Sequence, residues 1–145
     1  MGVLTTVFSR RWGITSFLIR LFSWGGQWSH VGIYDRNTGT VIEASYKGVR
    51  EISLGEFIRN ASKVDLVDYE CPDVPKALEF ARSQIGEPYD YLGILGFVVR
   101  EPLYNKKSNK WFCNRLFEES LKAGGRDRFR EDSGRITVYQ SYKVK

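Results

Sequence analysis

The chain holds a single imidazole, His30, and two thiols, Cys71 and Cys113. One histidine and two cysteines cannot assemble a Cys₂His₂ or Cys₄ zinc site, and two cysteines do not make a disulfide framework in a chain of this length. No metal site and no cofactor is expected. A thiol and an imidazole can, however, serve as nucleophile and base when a third polar group fixes the ring. Cys113 falls in the first turn of the helix expected from KSNKWFCNRLFEESLKAGG. There the helix dipole and a nearby imidazolium would lower a thiol pKa from about 8.5 toward about 3.5–7.5. Cys71, in YECPD, has no candidate partner and reads as a small apolar core residue, a role equally open to an isolated Cys113. A lone strand histidine is also open to being a hydrogen-bonded core residue.

The elements that must position these groups are legible from pattern. QWSHVGIYDRNTGTVIEASYKG contains two β-branched and aromatic runs around DRNTG, a hairpin signal. In WSHVGIY, Val31 and Ile33 share one face, while His30, Gly32 and Tyr34 share the other. An even-numbered loop sets Val31, Ile33, Ile42 and Ala44 together on one buried face. It also sets His30 and Glu43 on the opposite face, directly or diagonally paired. An odd loop would place Glu43 on the Val31 and Ile33 face, so the hydrophobic pattern selects the even register. Glu43 is then the group that can hold the imidazole, and the small residues Ser29 and Gly32 leave space for a substrate beside it.

Elsewhere, GITSFLIRLFSW at 13–24 carries Ile14, Phe17, Leu18, Leu21 and Phe22 at helical spacing with Arg10, Arg11 and Arg20 around it. Such a stripe suits either a core or an anionic membrane surface met through residues 14–22. SLGE at 53–56 resembles a capping box that opens a short helix with Leu54, Phe57 and Ile58 inward, and KVDLVDY at 63–69 reads as a strand. DVPKALEFARSQIG is a helix with Asp73 as cap, Val74, Ala77, Leu78, Ala81 and Ile85 on one stripe, and Gly86 as its stop. LGILGFVVR at 92–100 is a buried element of either type. In the Cys113 helix, Ser108 or Asn109 is the expected cap, Phe112, Leu116, Phe117 and Leu121 face inward, and Gly124 closes the element. RITVYQSYKV at 135–144 alternates and is expected to be a strand.

The 145 residues suit one domain, 1–145, with no repeat or dividing linker. Hydrophobic content of 42% and aromatic content of 14% fit a packed core rather than a disordered chain. The net charge of +5 invites an anionic partner, but its basic residues are dispersed and no helix-turn-helix, zinc or aromatic RNA-binding motif accompanies them, so no specific nucleic acid is expected. MGVLTT fits a loose myristoylation pattern of little weight. With neither a secretory leader nor an uncharged apolar run of spanning length, the expected location is cytoplasmic.

SHVGIYD, TVIEAS, a helix ending in IGEPYDYLG, and WFCNRLFEES, in that order, resemble the circularly permuted papain-like amidases and peptidases of the NlpC-type superfamily, in the YiiX-like and lecithin:retinol acyltransferase-like branch. The resemblance spans about residues 28 to 122. It implies an α+β fold, an antiparallel sheet of about four to six strands with the Cys helix packed against it. It implies Cys113 as nucleophile, His30 as base, Glu43 as third polar residue, and the Cys113 backbone N–H as part of an oxyanion hole. GEPYDY matches a segment beside the Cys helix, making Tyr89 and Asp90 candidates for the pocket wall or for structural positions; Tyr34, on the His30 face, is a further wall candidate. Asn114 stands where many relatives have Ser. The expected activity is hydrolysis of an amide, ester or thioester in a peptide, amide or acyl-bearing substrate. Acyl transfer to a lipid or amine with the same triad, and an idle binding module of the same fold, are the alternatives.

Overall fold

A computed structural model describes residues 2–11, 27–59, 61–89, 113–129 and 138–144. The expected helix at 13–24, the element at 92–100, Asp90, Phe112 and the cap residues Ser108 and Asn109 lie outside them. Among the described residues, β1 (Gly2–Arg11), β2 (His30–Asp35), β3 (Thr40–Ser45), β4 (Gly48–Ser53) and β5 (Ala61–Cys71) form an antiparallel sheet in the order β4-β3-β2-β1-β5. Helix α1 is Leu54–Ile58, α2 is Val74–Ser83, α3 is Cys113–Ala123 and α4 is Val138–Lys143.

β1 is an interior strand, and its sequence suits burial on both faces. Leu4 and Phe8 enter the main core, whereas Val7 enters a smaller cluster on the other side of the sheet. The GVLTTVFS segment thus supplies the β-branched and aromatic residues of a strand flanked by β2 and β5. The inner face continues through Val31, Ile33, Ile42, Ala44, Val67 and Tyr69, all buried. Helices α2 and α3 lie over it. Ala77 and Ala81 keep α2 close, and Leu116, Phe117 and Leu121 bury the inward stripe of α3, with the Phe117 ring 5.1 Å from that of Tyr69.

The hairpin forms with the even loop: Ile33 faces Ile42 and Asp35 faces Thr40, leaving four residues in the connection. Asp73 caps α2 by accepting from the Lys76 N–H at 3.0 Å, and Ser53 caps α1 by accepting from the Glu56 N–H at 3.1 Å. Of the residues expected inward, Ile58 and Ile85 are instead exposed. Both sit at the last turn or just beyond a short helix, where the chain has already turned away from the sheet.

The expected strand at 135–144 is corrected over its described part, because Val138–Lys143 is helical. A strand would line up Val138, Gln140, Tyr142 and Val144, yet Gln140 and Val144 are exposed. The inward residues are Val138, Ser141 and Tyr142, the i, i+3, i+4 series of a helix face. Tyr142 packs edge-on to Phe8 at 5.2 Å and against Trp28 at 5.3 Å, and its hydroxyl donates to Asp65 at 2.9 Å. Glu118 of α3 joins Arg128 and Ser141 in a buried polar network that ties α4 down.

The outer face at β2 is covered by Phe57 of α1, packed with Val7 and Val41. Gly32 permits this: a Cβ there would lie 2.4 Å from Val41 Cγ1 and 2.9 Å from Phe57 Cε2. The space expected for a substrate at Gly32 is therefore filled by protein. Gly32→Ala should lower stability by about 1–3 kcal/mol, as overpacking does, read as a reduced urea midpoint at unchanged slope. An unchanged midpoint would show that Phe57 does not need this close approach.

Candidate active site

His30 opens β2, and the strand start is pinned from β1. The Ser29 N–H donates to the Ser9 carbonyl at 3.0 Å, and the Arg11 N–H donates to Ser29 Oγ at 3.0 Å. Continuing the hairpin register from the Ile33 and Ile42 pair places Glu43 across from Gly32, one diagonal step from His30. The missing side chain at Gly32 lets the diagonal close: His30 Nε2 lies 2.6 Å from Glu43 Oε2.

Cys113 is the first residue of α3 and is 5% exposed. Its thiol lies close enough to the imidazole of His30 for each group to shift the other's titration. With Nε2 engaged by Glu43, Nδ1 is the ring nitrogen left to serve a thiol. The structure thus brings together three residues singled out from the sequence, on two strands and a helix.

The electrostatics of the group favour charge separation. Burial pushes the Cys113 thiol up, but the His30 charge and hydrogen bond, with the N–H groups of Val31 and Asn114 donating to sulfur, outweigh it and bring the thiol below its ordinary value. Burial likewise disfavours imidazolium at His30, and Arg11 adds to that. The Cys113 charge and hydrogen bond, and the bond to Glu43, reverse it, so His30 titrates above its ordinary value. Glu43 has no solvent exposure, and burial alone would raise its carboxyl. His30, Arg11 and Arg50 instead hold it at about 2.

Two partners of Glu43 escaped the sequence reading. Arg50 donates to Oε1 through Nε at 2.9 Å, with Nη2 2.8 Å from the same oxygen, and Arg11 Nη2 reaches Oε2 at 3.3 Å. Arg50 stands directly across from Glu43 in the β3–β4 ladder. The signal was the Tyr46-Lys47 turn followed by Gly48 and the alternating VREIS, which makes a second hairpin; Gly48 opens β4 at φ 95°. Arg11 read as the flank of a following helix, whereas it ends β1. Phe57 closes the outer side, its ring stacked on the imidazole at 5.3 Å and 23°, with the Arg11 guanidinium 4.8 Å from its centre.

Two further wall candidates, Tyr34 and Tyr89, fall among the described residues. Tyr34 shares the His30 face but sits four residues along β2, about 13 Å away at strand rise, packed with Val7, Val41 and Phe57. Tyr89 is partly buried against the main core, the cluster that includes Cys113. The chain just before it pairs with β4, where the Val49 N–H donates to the Glu87 carbonyl at 2.9 Å. Cys71 is buried, its thiol directed at the Gly124 carbonyl and raised above its ordinary pKa mainly by burial.

A sheet that carries a buried imidazole and carboxylate, with a thiol presented at the start of a packed helix, is the arrangement of a papain-like fold. The chain belongs to the family described as permuted papain-like amidase enzymes, YaeF/YiiX, C92, whose model matches residues 7–141. A solved structure, that of the metalloprotein YiiX from Escherichia coli O157:H7, superposes with a TM-score of 0.66 at 20% identity, over 87% of this chain and 68% of that one. No curated protein matches the sequence. Although YiiX is described as a metalloprotein, among the described residues here no group of three or more His, Cys, Asp or Glu side chains could hold a metal ion. Both oxygens of Glu43 already accept from cationic or imidazole donors. These residues do not fit a metal site. No described helix is long and apolar enough to cross a membrane.

Glu43 supplies a prediction about stability. Its carboxyl falls from an ordinary 4.5 to about 2 on folding, a contribution on the order of 3 kcal/mol. Because the folded value is depressed, that contribution is present above pH 4.5 and lost as pH falls toward 2. His30 has the opposite sign, stabilising below about pH 6.5 and fading as pH rises through its folded value. Urea midpoints measured from about pH 5 to pH 2 should fall for the native chain and fall less for Glu43→Gln. The residual slope comes from Asp35, Glu51 and Asp68, whose carboxyls are also lowered. Equal slopes would remove Glu43 from the acid response.

Proposed function

We propose that this chain is a cysteine hydrolase that cleaves an amide, or an ester or thioester, through an acyl-enzyme on Cys113. The observation that carries the reading is the position of His30, 2.6 Å from the buried Glu43 carboxylate and coupled in charge to the Cys113 thiol at the start of α3. Membership of an amidase family supports the reaction class.

In this reading His30 holds the thiol proton, and the Cys113 thiolate attacks the substrate carbonyl carbon to form a C–S bond. The oxyanion that develops faces the Cys113 N–H at the start of α3, a donor fixed by the helix. As the tetrahedral intermediate collapses, the imidazolium gives its proton to the departing amine and the C–N bond breaks. His30 then takes a proton from water, whose oxygen attacks the acyl carbon. The C–S bond breaks, releasing the carboxylic acid and restoring the thiolate and imidazolium. Glu43, ionised throughout at a pKa of about 2, orients the ring and offsets its charge without accepting its proton.

Iodoacetamide tests the reading without a known substrate. Cys113 should be alkylated at least about tenfold faster than Cys71 at pH 7, since its thiol is lowered from the ordinary value and that of Cys71 is raised. His30→Ala should abolish the difference. Equal, slow labelling of both thiols in the native protein would overturn the proposal.

A further inference from the structure

Resting on the hydrolase reading, we propose that Arg50 and Arg11 are positioning residues that act on the site through Glu43 in opposite senses. Arg50 fixes Oε1 and so turns Oε2 toward His30, whereas Arg11 competes with the imidazole for Oε2.

The geometry separates the two guanidiniums. Arg50 places both of its contacts on Oε1, at 2.9 and 2.8 Å, and none on the oxygen that meets His30. It approaches from β4, directly across the ladder from Glu43, and on its far side Nη1 is 3.9 Å from Glu56 of α1. A carboxylate anchored at one oxygen cannot rotate about its terminal torsion, which is otherwise broad. Oε2 is thereby held at 2.6 Å from Nε2. Arg11 arrives from β1 onto Oε2 itself at 3.3 Å, and the same guanidinium also meets the Phe57 carbonyl at 3.2 Å and the Phe57 ring. It therefore sits on the same oxygen as the imidazole and beside the ring that stacks on it.

The charged groups around the carboxylate are thus His30 of β2, Arg11 of β1 and Arg50 of β4, with Glu56 of α1 behind Arg50 and Cys113 of α3 coupled in charge to the imidazole. By sitting on Oε2, Arg11 draws that oxygen from the imidazole, and its charge adds to the opposition to His30 protonation. Arg50 supports that protonation by keeping the hydrogen-bonding oxygen in place. A pair of arginines that merely neutralised a buried carboxylate would not have effects of opposite sign.

The lone histidine makes the test direct, because an imidazole titration followed by NMR reports His30 alone. Arg50→Met should lower the His30 midpoint by about one pH unit, a tenfold change in the imidazolium to imidazole ratio. Arg11→Met should raise it. Arg50→Lys and Arg11→Lys retain a cation on Glu43, guard against loss of the fold, and should lie between the Met variants and the native chain. In a Glu43→Gln background the Arg50→Met shift should vanish, as it must if Arg50 acts only through that carboxylate. Shifts of the same sign from Arg11 and Arg50, no shift from either, or an Arg50 shift that survives Glu43→Gln would overturn the proposal. A native midpoint that does not move when Cys113 is alkylated would instead overturn the Cys113–His30 pairing, while the opposed shifts in the same spectra decide the role of the arginines by themselves.

Discussion

A carboxylate with no solvent exposure lies on the outer face of the sheet, and the surrounding structure is arranged to keep it charged. Removing Glu43 from water is unfavourable unless each oxygen finds donors and the charge finds a counterion. Three elements answer that demand. β4 brings Arg50 opposite it, β1 brings Arg11 to its other oxygen, and β2 brings His30 diagonally beside it. Each partner is fixed by ladder register, so a slip of one residue in any of these strands would strand the charge as well as invert the apolar faces.

The same constraint explains why a glycine and an aromatic ring occupy this place. Gly32 fills the ladder position between His30 and Glu43 without a side chain, and Phe57 takes the volume released. The ring stacks on the imidazole and lies against Arg11, which excludes water from the outer side of the ion pairs and strengthens them. On the inner side, α3 packs over β2 and β3 through Leu116, Phe117 and Leu121, and that packing brings Cys113, its first residue, to within charge coupling of His30. The buried contact of Glu118 with Arg128 and Ser141 secures α3 against α4 further along the same helix.

Much of this was legible where a local pattern dictated a single answer. The hairpin register followed from Val31, Ile33, Ile42 and Ala44, because only one parity buries all of them. The caps at Ser53 and Asp73 followed from side chains that accept from the first turn. What escaped was decided by tertiary context. β1 has a strand-like sequence, yet its interior place between β2 and β5 depends on both neighbours. The stretch from Val138 to Lys143 alternates as a strand would but packs as a helix, since the contact it makes with Phe8 and Trp28 favours the i, i+3, i+4 face. The arginines were invisible for a related reason: nothing in the local sequence of Arg11 points to a carboxylate 32 positions away. Tyr34 shows the converse limit, because sharing a face with His30 does not mean sharing a site.

At the centre of the proposed chemistry is a thiolate at Cys113, paired with His30 and turned to acyl transfer. Mass spectrometry of the intact chain after exposure to short peptide amides and acyl thioesters, with peptide mapping of any adduct, tests it most directly. An acyl group on Cys113 that is absent from Cys71 and lost in His30→Ala is the expected result. Acyl addition to both thiols alike, or to Cys113 equally well without His30, would contradict it.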